Sequence, residues 1–331
     1  MERANWESVV QAATRAPSIH NTQPWLFTAT GDVLQVHTDP ERALPVLDPS
    51  GRQRVISCGV AVEFAVVALR AAGRDATVEL LPDATDEDHL ATIRADRVRD
   101  TTDDDRILAT TIAQRHTDRS PFEPRTVPGE VLDHLQTEAA AFGVWVKPIT
   151  ESEEEVATVF LISRAEELEQ GEPAYRAELE QWLRTDPAAP DGVPIGAVPS
   201  ADPATRASNW LIRDFVVGTR TTAEHMPADP DAAPPPVERP TVLLLGSMND
   251  DRRAWLEAGR ALGRVLLRAT QAGLVASPLT QALDWPATRR QLTGRLSLVG
   301  HPQMLLRLGY PAHDPGTPSG RRPVAEVLRT T

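Results

Sequence analysis

Two short segments concentrate side chains able to do chemistry. The first, Ala16–Trp25, reads Ala-Pro-Ser-Ile-His-Asn-Thr-Gln-Pro-Trp and sets polar and turn-forming residues between a helical pattern and an aromatic strand. Ser18, Asn21 and Gln23 offer hydroxyl and amide groups suited to the carbonyls and ring nitrogens of a planar ligand, and Pro17 and Pro24 restrict the loop that presents them. The same residues also suit a capping turn in which Ser18 and Asn21 satisfy backbone groups. The second segment, Gln114–Phe122, carries Arg115, His116, Thr117 and Arg119. A spacing of four lets Arg115 and Arg119 converge on one oxyanion at a helix end, with the Thr117 hydroxyl as a further donor, and phosphate is the natural partner. Pairing of these arginines with the acidic run Asp100–Asp105 is the alternative. Arg321-Arg322, just before Pro323, can complete the same anion site if the tail folds back. In Gly273–Gln281, the small residues around Ser277, Pro278, Leu279 and Thr280 allow backbone to approach one face of a flat ring. The remaining histidines, His37, His89, His134, His225, His301 and His313, show no metal-like spacing.

Other chemistries lack their residues. Cys58 is the single cysteine, which excludes an internal disulfide and a thiolate zinc cluster, and its small apolar neighbours mark it as a packing residue. The chain has one lysine, Lys147, among 34 basic residues, so a P-loop is absent and any phosphate must be held by arginine. HExxH, GxSxG and GxGxxG do not occur. The net charge of -13 excludes a basic footprint for nucleic acid or anionic lipid. No apolar run approaches the roughly 20 residues of a membrane helix. Met1–Glu7 lacks the basic start and apolar core of a signal peptide, so a cytoplasmic protein is expected.

These residues need elements to hold them. Trp6, Val9, Val10 and Ala13 recur at helical spacing and predict a helix over 5–15, ended by Pro17. Trp25–Ala29 and Val33–His37, joined by Thr30-Gly31-Asp32, predict a hairpin. An apolar helix is expected over 59–72 and a strand over 76–81. An acidic stretch, 83–105, is expected to separate this part from a longer one. There, helices are expected over 107–115, 128–141 and 153–183, and strands over 143–148, 241–246 and 303–308. Eleven prolines between Pro187 and Pro240 predict a long excursion or lid, with a short helix over 209–217. Gly59–Gly73 and Gly259–Gly273 share their length, their terminal glycines and their apolar positions, which suggests two related halves whose twin helices pack on each other.

The order of these pieces resembles the nitroreductase superfamily of flavoproteins, most closely its single-chain, internally duplicated Acg-type branch. The resemblance rests on Ala16–Trp25, on Arg115-His116-Thr117-Asp118-Arg119, on Gly273 through Gln281, and on Leu308-Gly309-Tyr310-Pro311 followed by Arg321-Arg322-Pro323. It implies an α+β nitroreductase-like fold, built as a tandem pseudo-dimer with antiparallel or mixed sheets flanked by helices. The halves would be 1–105, supplying the Pro17–Trp25 loop, and 106–331, supplying the phosphate grip and the excursion at about 187–240. It also implies one FMN per chain, held by Pro17, Ser18, Asn21 and Gln23 from the first half. The second half would contribute Arg115, His116, Thr117, Arg119, Arg321 and Arg322 to the phosphate and ribityl chain, and Ser277, Pro278, Leu279 and Thr280 to the ring. The implied activity is NAD(P)H oxidation coupled to reduction of a small nitroaromatic or quinone-like acceptor, with no side-chain acid or base required and the chain acting as a monomer. A non-catalytic flavin-holding protein and a flavin-dependent dehydrogenase of one metabolite are the alternatives. One departure is visible: with a single lysine, another donor must serve the pyrimidine edge of the ring, where basic residues are typical of the family.

Overall fold

The computed structural model describes residues 4–195, 238, 240–313 and 319–331. In chain order its elements are α1 (Trp6–Ala13), β1 (Trp25–Thr30), β2 (Val33–Thr38), α2 (Arg52–Ala71), β3 (Arg74–Leu80), β4 (His89–Val98), α3 (Asp103–Gln114), α4 (Gly129–Ala140), β5 (Val144–Ile149), α5 (Ser152–Gly171), α6 (Pro173–Glu180), β6 (Leu183–Arg184), β7 (Val193–Pro194), β8 (Thr241–Ser247), α7 (Arg252–Gln271), β9 (Val275–Pro278), α8 (Gln281–Asp284), α9 (Pro286–Arg295), β10 (His301–Gly309), α10 (Val324–Val327) and β11 (Leu328–Thr330).

The halves repeat one topology. The first sheet has the order β11-β1-β2-β4-β3 and the second β5-β8-β10-β9. Leaving out β11, each is an antiparallel pair, contiguous as a hairpin only in the first sheet, followed by a long helix and then two strands in reversed order, all antiparallel. The helices that interrupt them, α2 and α7, start 200 residues apart and end alike: Ala72 and Ala272 donate back to the carbonyls of Ala68 and Arg268, and Gly73 and Gly273 follow at φ 73° and 77°. The suggested repeat is therefore a repeat of structure.

Packing of α2 on α7 joins the halves. A Cβ on Gly259 would lie 2.1 Å from the Ile56 carbonyl oxygen, and one on Gly59 would lie 2.5 Å from the Leu256 carbonyl oxygen, so the backbones cross in contact where each helix carries glycine. One continuous core runs from Trp25, Phe27 and Leu34 under the first sheet, through Val60 and Phe64 of α2 and Leu262 and Val265 of α7, to Leu243 and Leu306 of the second. Glu63, 1% exposed in this seam, is matched by Arg260 and Arg264 across it. The tail then crosses back, and β11 pairs in parallel with β1, Phe27 opposite Leu328.

Three expectations are corrected. The acidic stretch 83–105 is not a plain separator: loops at 81–88 and 99–102 flank His89–Val98, which forms an inner strand of the first sheet with Leu90, Ala91, Ile93 and Ala95 buried. Asp103–Asp105 start α3 through a capping box of Thr102 and Asp105. The helix expected over 153–183 is two helices, because Pro173 has no N–H to continue α5 and opens α6 instead. The helix expected over 59–72 begins at Arg52, since Asp48 accepts the Gln53 and Arg54 N–H groups at its start. The short helix expected over 209–217, and most of the 187–240 excursion, lie outside the described residues.

Candidate functional site

The loop after α1 is wound tightly. His20, Asn21 and Gln23 all take left-handed conformations, at φ 45°, 53° and 50°, which cost free energy for side chains bearing a Cβ. Internal hydrogen bonds hold the loop there. The Ser18 hydroxyl accepts the Gln23 N–H at 2.9 Å, Ser57 Oγ of α2 accepts the Ile19 N–H at 3.2 Å, and the Pro24 carbonyl accepts from the Asp39 N–H at 3.0 Å. Pro17, Ser18, Ile19 and His20 are thereby presented on one wall of a cleft between the halves.

The opposite wall comes from the second half. Thr117 bridges Ala276 beside β9, and the Asp118 N–H donates to the Ala276 carbonyl at 3.0 Å, so the segment after α3 extends the edge of the second sheet. Behind it, the fully buried Arg307 of β10 pairs with Glu238 at 2.6 Å and donates to the Ser120 carbonyl, while Glu238 accepts the Phe122 N–H. This buried pair fixes the course of 117–122. Thr117, Arg119, Ala276, Pro278, Thr280 and Gln281 face the cleft. Its floor is α2 and α7, contributing Gln53, Ile56, Ser57 and Val60 from one and Leu262 and Leu266 from the other, with Met304 of β10. The cleft encloses about 860 Å³, including the part open to solvent.

Next to Pro17 and Thr117 in the chain stand arginines without a counter-charge. Arg115, 6% exposed, donates to the Arg15 carbonyl at 3.2 Å, and Arg321 donates to the same carbonyl at 3.2 Å. Neither enters an ion pair among the described residues. Burial, then the charges of Arg321 and Arg15, push the Arg115 guanidinium down to about 9; burial and Arg15 lower Arg321 to about 10. Nε of Arg115 and Nε of Arg321 are buried without a hydrogen-bond partner, as are the Ser277 hydroxyl and the Gln281 amide nitrogen. One buried cation, a half-buried second one and idle buried donors beside a cleft suit a bound anion with further acceptor atoms.

No family model matches the chain. Two proteins of Mycobacterium tuberculosis (strain ATCC 25618 / H37Rv), provisionally named NAD(P)H nitroreductases, are similar over nearly all of it. Rv3131 is 36% identical over 326 residues, spanning 97% of this chain and 90% of its own. The protein called acg is 32% identical over 325 residues, spanning 97% and 94%. The chain belongs to this nitroreductase family. Among solved structures, the FMN and NADPH-dependent nitroreductase NfnB from sphigopyxis sp. strain HMH is 17% identical, with 67% of this chain and 97% of that one covered at a TM-score of 0.40. The FMN-dependent NfnB from Mycobacterium smegmatis, solved with NADPH, is 16% identical, with coverage of 69% and 100% at a TM-score of 0.37.

Of the residues that the nitroreductase resemblance implies, the structure brings Pro17, Ser18, Thr117, Arg119, Pro278 and Thr280 to the cleft, with Arg115, Arg321 and the Ser277 hydroxyl behind its wall. The others do different work. Asn21 donates to the carbonyls of Gly192 and Gly320 and accepts from Arg321 at 3.2 Å. Gln23 donates to Pro190 at 2.7 Å and accepts the Arg322 N–H at 2.8 Å. These two amides therefore strap the tail to the loop and position Arg321. Arg322 pairs with Asp39 at 3.2 Å, away from Arg115. His116 turns its Nδ1 to the Gln114 carbonyl, and Leu279 is buried under the second sheet. Lys147 pairs with Glu154 at 3.0 Å and takes no part in the cleft. The sequence missed the floor, whose signal was Gln53 and Ser57: two polar residues four apart in the first turns of α2, ahead of its apolar run.

Proposed function

We propose that the cleft holds FMN and that the protein is an NAD(P)H oxidoreductase of nitroreductase type, reducing small nitroaromatic or quinone-like acceptors. The observation that carries this reading is the buried Arg115, without an ion-pair partner among the described residues and grouped with the half-buried Arg321 and the exposed Arg15, next to a cleft whose floor is apolar. A phosphate supplies the missing charge, and a flat ring suits Ile56, Val60, Leu262, Leu266 and Met304. Arg115 and Arg321 would hold the phosphate, with Thr117 and Arg119 toward the ribityl chain; Ser18 would contact the cofactor from the first half. The idle Ser277 and Gln281 donors suit the polar edge of the ring, where this chain has no lysine. When bound, FMN supplies the hydride chemistry, while the protein binds, orients and shields it from water.

One site per chain is proposed, with halves at 1–105 and 106–331 acting as an intramolecular pseudo-dimer in a monomer. Positions 200 residues on from Gln53, Ile56, Ser57 and Val60 are Arg253, Leu256, Glu257 and Arg260. Arg253 lies 3.8 Å from Glu257 and donates to the Leu80 carbonyl, and Arg260 pairs with Glu63. An ionic floor of this kind does not suit an apolar ring.

Anaerobic addition of NADPH and then NADH to the yellow protein, followed by flavin absorbance, tests the reading. Rapid bleaching by either is the expected result. A yellow protein bleached by dithionite alone would replace it with the flavin-holding alternative, and a protein left colourless after incubation with FMN would remove flavin altogether.

A further inference from the structure

The geometry points to a divalent transition-metal site at the end of the two inner strands β2 and β4 of the first sheet, formed by His37, His89 and Asp86. The two histidines are 52 residues apart in sequence, which hides them from any spacing motif. A β-bulge brings them together: Val36 pairs with Ala91, but the next residue, His37, stands opposite His89, with Leu90 the extra residue on β4. In regular register His37 would face Leu90, which is buried in the core. Bulges re-aim side chains in this way.

The three side chains meet. The imidazoles lie face to face with centroids 4.4 Å apart and planes 20° from parallel, and His37 Nε2 is 3.7 Å from Asp86 Oδ2. One ligand atom from each residue lies within 4.8 Å of the other two. Zinc bonds of about 2.0–2.1 Å to nitrogen set tetrahedral ligand atoms about 3.4 Å apart, so closing the cluster draws these atoms together and turns the stacked imidazoles until both ring planes contain the metal. Its members are also held from behind. The His89 ring nitrogen Nε2 lies 3.0 Å from the Thr92 hydroxyl, a contact that orients the imidazole. Asp86 Oδ1 accepts the N–H groups of Asp88 and His89 at 3.0 and 3.3 Å, which leaves Oδ2 toward His37. Outer partners of this kind orient metal ligands. Two imidazoles and one carboxylate suit zinc, nickel, cobalt or copper in preference to magnesium or calcium, and the exposed side of Asp86 leaves the remaining positions to water.

Occupancy would pin the loop 81–88 to β2. That loop already reaches the second half through Glu87, whose carbonyl accepts from Arg252 at the start of α7.

The test is titration of chelator-treated full-length protein with Zn2+ against a chromophoric chelator, with thermal melting in parallel. One Zn2+ per chain and a raised melting temperature are expected. His37→Ala and Asp86→Asn should each weaken binding at least tenfold and abolish the thermal shift, whereas His134→Ala, at a surface histidine elsewhere, should change neither. Bound Co2+ should show a visible spectrum that is lost in His37→Ala. Folding of each variant is checked by circular dichroism, and the Asp86→Asn exchange keeps the Oδ1 acceptor of the loop. No stoichiometric binding, or binding unchanged in both His37→Ala and Asp86→Asn, would overturn the assignment.

Discussion

Arg115 shows how a single side chain can be a cost to the fold and an asset to the site. It is buried beside two like charges, and the lowering of its guanidinium to about 9 means that the folded protein disfavours the charged form. For a cation with a depressed value, that penalty is present in full at neutral pH and is relieved only as pH rises through the lowered value. A bound phosphate relieves it differently, by supplying the opposite charge. Arg115→Met should therefore leave the melting temperature of the flavin-free protein unchanged or higher, because an uncompensated buried charge is replaced by an apolar chain. The same variant should weaken FMN by about 1.5–3 kcal/mol, roughly tenfold to 150-fold. Melting curves with and without FMN measure both effects. A fall in flavin-free stability with FMN affinity intact would make Arg115 a structural residue. At this scale the sequence singled out Thr117 and Arg119, which line the cleft, and Arg115, which is buried next to Thr117 in the chain. Asn21 and Gln23 were less legible, because their amides suit a ligand and a backbone carbonyl equally well, and the carbonyls of Gly192, Gly320 and Pro190 that they bond are distant in sequence.

Among the elements, α2 and α7 decide the architecture. Their backbones touch at Gly59 and Gly259, and a Cβ at Gly259 meets the Ile56 carbonyl, a backbone atom unable to swing aside as a side chain would. Gly259→Ala should cost about 3 kcal/mol, the upper end for overpacking a core, since the helices must separate to admit the methyl group. Gly129→Ala, at the start of α4 where nothing lies within 4 Å of the added carbon, should change stability by less than about 0.5 kcal/mol. Denaturant midpoints of the two variants compare them directly, and equal midpoints would dismiss the close crossing. The twin helices were readable in advance because glycine positions and apolar spacing are local properties. Strand β4 was not, because its flanks are acidic and its buried alternation, Leu90, Ala91, Ile93 and Ala95, becomes meaningful only between β2 and β3.

For the whole molecule, duplication without identity is the main feature. Both sheets share one strand order, yet the position facing the cleft floor on one side carries Gln53 and Ser57 and on the other Arg253 and Glu257. The proposal of one cofactor site per chain predicts a flavin-to-protein ratio of one in a particle of 36.1 kDa, measured by absorbance after denaturation and by light scattering. A ratio of two would restore the second site, and a particle of twice that mass would show that the pseudo-dimer itself associates.

The sequence by itself determined the chemistry available: arginine as nearly the sole cation, a polar loop bounded by prolines, a single cysteine and two matched helices. Residue types and short-range periodicity suffice for these, because each depends on neighbours within a turn or two. Tertiary structure alone decided which of these groups face the cleft. Whether an amide ends as a strap or a contact depends on groups 167 to 299 residues away, such as Pro190 opposite Gln23 and Gly320 opposite Asn21. The pairing of His37 with His89 likewise depends on a one-residue bulge, which no local pattern encodes.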